Sequence, residues 1–299
     1  LAKTPNHDIY NSKYPQTLLD CFGNAVGNPE NTQGGSEVGH LTLGAGRVVW
    51  QPYELINQSI KNGSFFKNKV LLEAIDNCKK NNSNLHISGL FSDQGIHADL
   101  RHMFAILELC KKQNFTRVFI HLCLDGRDVP EKSASKYIEM LESKINELKI
   151  GSISTVFGRY YGMDRDTNWD RTLKAYNVMV NGEGFSYSSV HEALTGAYDR
   201  GDKSDYYVQP SIIAKDFVPI KNNDSFRWFN FRTDRSRQIT SMFNNLNCPL
   251  EHKKVKLHYV CFSSYDDSWT LPVAFTQTQV ENNLGTILSK NGIKQLRIS

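Results

Sequence analysis

From Gln51 onward the apolar positions of the chain switch repeatedly between two spacings. Val70, Leu71, Leu72, Ala74, Ile75 and Cys78 recur at helical intervals, and the run Leu85-His86-Ile87-Ser88-Gly89-Leu90-Phe91 that follows is dense enough for a buried strand. The alternation returns with Met103, Phe104, Ile106, Leu107 and Cys110 before a strand over 117–124, and with a helix over 137–148 before a strand over 152–157. A helix over 189–200 is predicted inside the polar stretch 182–224. The aromatic run 226–231 reads as a strand leading into a helix over 239–246. A strand over 255–262, a helix over 283–290 and a last strand beginning in 294–299 complete the series. Helices alternating with short buried strands predict an α/β fold built on a parallel sheet.

Residues 1–50 differ. They are short-worded and punctuated by Thr4-Pro5, Tyr14-Pro15 and a glycine-rich run, with no strong strand and little to make a core alone. This is what a fold whose first strand lies upstream looks like.

Each predicted strand empties into a polar loop: Ser92-Asp93-Gln94-Gly95-Ile96-His97, then Asp125-Gly126-Arg127-Asp128, then Gly158-Arg159 through Arg165-Asp166, and finally Arg232-Thr233-Asp234-Arg235. Ligands of open parallel sheets bind beyond the carboxyl ends of the strands, so these loops are expected to converge on one crevice. Arg127, Arg159, Arg165, Arg232 and Arg235 would then surround a small, highly charged anion, because a guanidinium binds phosphate or carboxylate through a planar fork. Asp128 and Asp234 can orient them, and Asp128 or His97 can meet a substrate hydroxyl. Taken singly, each arginine reads as a surface ion pair and His97 as a structural histidine. It is the joint placement that points to a site. The same arginines interleaved with Tyr160, Tyr161, Trp169 and Trp228 also suit single-stranded nucleic acid, against which stand the aspartates beside them.

Gln33-Gly34-Gly35-Ser36-Glu37-Val38-Gly39-His40 places a serine where a loop gives way to a helix. An ordinary N-cap is the better reading of that segment alone. A nucleophile that carries phosphate at the positive end of a helix is the alternative.

Composition changes this picture little. The 299 residues suggest two domains, and 35 Lys and Arg against 31 Asp and Glu leave +4, too little to demand a polyanionic partner. Six cysteines without metal-ligand spacing read as reduced core thiols. No apolar run reaches the ~20 residues of a membrane span. A cytoplasmic protein with a small-molecule substrate is expected, with no nucleic-acid or membrane partner.

Taken in order, Ser36-Glu37-Val38-Gly39-His40 with Gly44-Ala45-Gly46-Arg47, Ser92-Asp93 through His97, Leu124-Asp125-Gly126-Arg127-Asp128, Gly158-Arg159-Tyr160-Tyr161 with Met163-Asp164-Arg165-Asp166, and Phe229-Asn230-Phe231-Arg232 with Asp234-Arg235 resemble the cofactor-independent phosphoglycerate mutases. The resemblance implies an α/β transferase domain, here 51–282, inserted in a metal-bearing domain of the alkaline phosphatase type, of which 1–50 and 283–299 would be pieces. It implies interconversion of 3-phosphoglycerate and 2-phosphoglycerate through a phosphoserine at Ser36, without 2,3-bisphosphoglycerate. Ser36 would also ligate one of two divalent ions, expected to be manganese. His97, Arg127, Asp128, Arg159, Arg165, Arg232 and Arg235 would hold the glycerate. A monomer is expected.

The remaining metal ligands and a substrate-binding lysine of the family match nothing in these residues, and Gly35, Gln94 and Asp99 depart from its usual asparagine, glycine and histidine. The resemblance therefore implies a fragment that binds phosphoglycerate but lacks mutase activity alone. The alternatives are another phosphatase or phosphomutase on the same scaffold, and a non-catalytic phospho-ligand or RNA binding module.

Overall fold

The structure, a computed structural model, describes residues 3–276 and 280–296. The chain divides into two compact units, Leu1–Glu54 with Thr278–Ser299, and Leu55–Gln277.

The larger unit is organised on a seven-stranded sheet: β1 Leu85–Phe91, β2 Val118–Leu124, β3 Ser152–Gly158, β4 Phe185–Tyr187, β5 Ser211–Ile213, β6 Ser225–Trp228 and β7 His258–Cys261. Their order is β4-β5-β3-β2-β1-β6-β7. β3, β2, β1, β6 and β7 run parallel, and β5 turns antiparallel against β3. Every residue of β1 is buried, as a central parallel strand covered on both faces requires. The chain lays β2 and β3 on one side of β1 and β6 and β7 on the other, so its direction of winding reverses between β1 and β6.

The helices cover this sheet for reasons local to their sequences. Lys69–Asn81 starts where the Asn68 side chain accepts from Leu71 N at 3.2 Å, buries Leu71, Ala74, Ile75 and Cys78 along one face, and ends at Asn82 in the left-handed region. Leu100–Lys112 and Ala134–Leu148 bury equivalent stripes.

The aromatic strand predicted over 226–231 is shorter than expected. β6 ends at Trp228, because the Asn230 carboxamide oxygen accepts from Leu90 N at 2.8 Å where a strand carbonyl would otherwise pair. β7 is likewise shorter than 255–262, and the helix expected over 239–246 is Arg237–Asn244. Trp169–Val180 is a helix that the sequence reading passed over. Of the strand predicted at the C-terminus, 294–296 are not extended in a sheet and 297–299 lie outside the described residues. Cys78, Cys110, Cys123 and Cys261 are buried free thiols, but Cys21 is exposed and Cys248 half-buried, so not all six belong to the core.

The smaller unit holds helices Pro5–Lys13, Ser36–Ala45 and Leu284–Lys290. Its described residues bury only Val26 and Ala45 among apolar side chains. Among the described residues no helix is long and apolar enough to cross a membrane.

Candidate anion site and helix-borne serine

At the reversal between β1 and β6 the loops following both strands are tied together. Phe231 N and Arg232 N donate to the His97 carbonyl at 2.9 and 3.3 Å. Gly89 in β1 makes the approach possible, since a Cβ there would lie 2.8 Å from the Phe229 ring and 2.9 Å from Asn230 Oδ1.

The segments after four strands supply the charged side chains, which form two bonded groups with His97 between them. Arg159 Nη1 donates at 2.6 Å to both Asp125 Oδ1 and Asp128 Oδ2. Asp125 also accepts from Ser92 Oγ at 2.7 Å and from the backbone of Arg127 and Asp128, which fixes the β2 loop. On the other side Arg165 Nη1 donates to Asp234 Oδ2 at 2.7 Å, and Arg232 Nε lies 3.0 Å from Asp234 Oδ1 without the alignment of a hydrogen bond. His97 sits between these halves, 3.9 Å from Asp128 and 3.7 Å from Asp234, too far to bond either. Its Nδ1 is buried without a partner.

Arg127 and Arg235 complete the set. Arg127 is exposed, whereas Arg235 is buried and gives Nη1 to the Met163 carbonyl at 2.9 Å. Among the described residues neither meets a carboxylate within ion-pair distance. Five guanidinium groups against Asp125, Asp128 and Asp234 leave two positive charges unmatched, and with a neutral His97 the cluster suits a small polyanion.

The electrostatics agree. Burial, together with the charges of Arg159 and Arg232, lowers His97 to about 4, against the opposing pull of Asp234 and Asp128, so it is neutral at pH 7. Burial and the neighbouring charges of Arg159, Arg165 and Arg127 push Arg235 down. Burial works against the Asp234 carboxylate, but the Arg165 hydrogen bond and the Arg232 charge hold it below the usual range.

All seven residues expected to hold a ligand thus lie in the segments that follow neighbouring strands, Arg159 as the first residue of the short helix Arg159–Gly162. Sequence reading left Asp125 out of the set, although it is the hub, because an aspartate at a strand end gives no sign of accepting from three different segments. Trp228 is fully buried, with Nε1 donating to Ser236 Oγ at 3.1 Å, so it offers no face to a nucleobase. Cleft volume does not locate this chemistry. A cleft of about 480 Å³ lies at the other end of β3, beside Glu142, Ser152 and Lys215, and one of about 710 Å³ lies in the smaller unit beside Leu41, Leu284 and Leu288.

Ser36 opens the helix Ser36–Ala45, and the cap position is Gly35. The ordinary-cap reading of Ser36 is therefore wrong, since its Oγ lies 3.1 Å from His40 Nδ1 rather than on a first-turn N–H. His40 Nδ1 is also 2.7 Å from the Ser36 carbonyl. A carbonyl only accepts, so Nδ1 carries the hydrogen and cannot take a proton from Ser36. Of the other departures, Asp99 caps Leu100–Lys112 by accepting from Arg101 N at 2.8 Å, and Gln94 is exposed. Among the described residues no group of three or more His, Cys, Asp or Glu is arranged to hold a metal ion.

The family model described as BPG-independent PGAM N-terminus matches residues 56–267. The chain belongs to the BPG-independent phosphoglycerate mutase family. It is similar to 2,3-bisphosphoglycerate-independent phosphoglycerate mutases of Desulforudis audaxviator, 43% identical over 304 residues, and of Clostridium kluyveri, 46% identical over 303 residues. These alignments cover 100% of this chain and 60% and 59% of those phosphoglycerate mutases. The chain thus spans about three fifths of the length of the curated relatives it matches. A solved structure of Leishmania mexicana phosphoglycerate mutase at low cobalt concentration matches with a TM-score of 0.74 at 28% identity, covering 98% of this chain and 56% of that one.

Proposed function

We propose that this chain is the glycerate-holding part of a phosphoglycerate mutase that interconverts 3-phosphoglycerate and 2-phosphoglycerate through a phosphoserine at Ser36. In this reading residues 51–282 form the inserted transferase domain, and 1–50 and 283–299 belong to a domain of the alkaline phosphatase type. The observation that carries it is the pair of unmatched guanidinium groups, Arg127 and Arg235, beside the His97, Asp128 and Asp234 cluster in a chain of this family.

The chemistry asked of the residues follows from their present partners. Arg159 is engaged by Asp125 and Asp128 and acts by orienting Asp128, a part-exposed carboxylate able to accept from a glycerate hydroxyl. Neutral His97, with Nδ1 unpartnered, can hold a second hydroxyl and pass a proton without adding charge. Arg165 and Arg232 share Asp234, which leaves both guanidinium groups with donors to spare for a carboxylate or phosphate. Arg127 and Arg235 supply the net charge.

Ser36 presents an exposed hydroxyl among the first-turn N–H groups, where phosphate is favoured. It needs a base that His40 Nδ1 cannot be. The two divalent ions of the family, expected to be manganese, find one candidate ligand here, Ser36, and no cluster of the usual donors among the described residues. The 299 residues are accordingly proposed to bind phosphoglycerate without turning it over.

Calorimetry of the chain with 3-phosphoglycerate, glycerate and inorganic phosphate, beside product analysis with added Mn2+, tests this. Binding of the phosphoglycerate above either part, with no 2-phosphoglycerate formed, supports the reading. Free phosphate as product would favour a phosphatase. RNA binding with a steep salt slope in place of phosphoglycerate binding would favour the nucleic-acid alternative.

A further inference from the structure

We infer that Asp205 is a positioning residue for the arginine cluster, holding the segment 205–208 against the two strand ends that present Arg127, Asp128 and Arg159. The inference rests on the anion-site reading above and adds to it a residue from a part of the chain that carries no ligand-facing arginine.

Asp205 is 1% exposed and engaged on every side. Oδ2 accepts from Ser133 N at 2.7 Å and Ala134 N at 2.8 Å, and Tyr198 Oη donates to Oδ1. Its own N–H donates to the Glu131 carbonyl at 2.8 Å. The helix Ala134–Leu148 has no side-chain cap from Ser133, so this carboxylate, 72 positions away, does the capping. The β2 loop, the helix behind it and the segment 205–208 are thereby joined at one buried group.

What that segment touches makes the joint matter to the site. A Cβ on Gly126 would lie 2.6 Å from Tyr206 N and 2.9 Å from Asp205 Cβ, and one on Gly158 would lie 2.1 Å from Tyr206 O and 2.7 Å from Asp205 O. Gly158 N donates to the Val208 carbonyl at 2.7 Å. Gly126 directly precedes Arg127, and Gly158 directly precedes Arg159. The two glycines let the backbone of 205–208 lie flat on the ends of β2 and β3, and the Asp205 bonds keep it there.

A positioning role and a charge role have opposite signs. Removing a carboxylate near an anion site tightens anion binding if only charge matters, whereas loosening the segment weakens it. Asn retains the bonds, since its oxygen can face Ser133 and Ala134 while its NH2 donates to Tyr198.

The test is calorimetric titration of 3-phosphoglycerate into the 299-residue chain carrying Asp205→Ala, Asp205→Asn or Gly158→Ala, with unfolding measured in parallel. Ser189→Ala, which removes the side-chain cap of helix Val190–Asp199, serves as a control that lowers stability away from the segment. We expect Asp205→Ala and Gly158→Ala each to weaken binding about tenfold, Asp205→Asn to restore most of it, and Ser189→Ala to leave it unchanged. Should Asp205→Ala fail to fold, Gly158→Ala decides. Affinity unchanged in Gly158→Ala, or tightened in Asp205→Ala, overturns the inference alone. No binding by the parent chain overturns the anion-site reading together with it.

Discussion

Arg159 and Asp128 meet at 2.6 Å, and the same guanidinium nitrogen reaches Asp125 at 2.6 Å. With the arginine side chain 1% exposed and Asp128 14% exposed, this contact is part of the interior as much as of the site. Burial opposes the guanidinium charge, but the hydrogen bonds it donates to Asp128 and Asp125, with their charges, outweigh burial and raise Arg159 above its ordinary value.

Arg159→Met should therefore destabilise the larger unit by about 3–5 kcal/mol, because two neighbouring carboxylates lose their shared partner inside the protein. Urea unfolding at pH 7 measures it. A loss below about 1 kcal/mol, the value of an exposed ion pair, would mean that the buried network is not formed.

Acid should unfold the larger unit well above the carboxylate range. Burial lowers His86, against hydrogen bonding and charge from Asp224, and lowers His121, and it brings His102 to about 4. Below pH 6.5 the unfolded chain takes up protons that these folded imidazoles refuse. Stability is then full above pH 6.5 and falls between about 6.5 and 4, by about 1.4 kcal/mol per pH unit for each histidine fully titrating in the unfolded chain. His86 Nδ1 lies 2.9 Å from His121 Nε2, and His121 Nδ1 lies 2.9 Å from Thr155 Oγ1, so the buried rings are already bonded when neutral. Urea midpoints at pH 7, 6 and 5 check the slope, and a flat profile would contradict it.

Gly89→Ala should separate β1 from the turn after β6. Its methyl group would press on the Phe229 ring and Asn230 Oδ1, at an overpacking cost of about 1–3 kcal/mol. Because Asn230 and Phe231 anchor the loop that carries Arg232 and Asp234, phosphoglycerate affinity should fall along with thermal stability. Lower stability with unchanged affinity would separate this packing from the site.

Much of this arrangement was legible because parallel strands buried on both faces are written as apolar runs, and the loops at their ends then had to share one edge of the sheet. His97, Arg127 and Arg159 were located that way. The remainder depended on contacts far apart in the chain. Asp205 caps a helix begun 71 positions earlier, and nothing near it in sequence marks that role. Asn230 ends β6 by bonding Leu90, so an aromatic run that looks like strand throughout leaves the sheet after Trp228. Around Ser36 either a serine or a glycine could take the cap, and only the backbone assigns that position to Gly35. The helix Trp169–Val180 did carry a periodic signal, in Thr172, Ala175, Tyr176 and Met179, but its polar neighbours concealed it.

Arg235 is buried, gives one bond to the Met163 carbonyl and meets no carboxylate among the described residues. Calorimetric titration of 3-phosphoglycerate into Arg235→Met at fixed ionic strength should give an affinity about 10–100-fold weaker than that of the parent chain, the effect of losing a charged hydrogen-bond donor. Equal affinity in the variant would contradict the claim that this guanidinium cluster is an anion site.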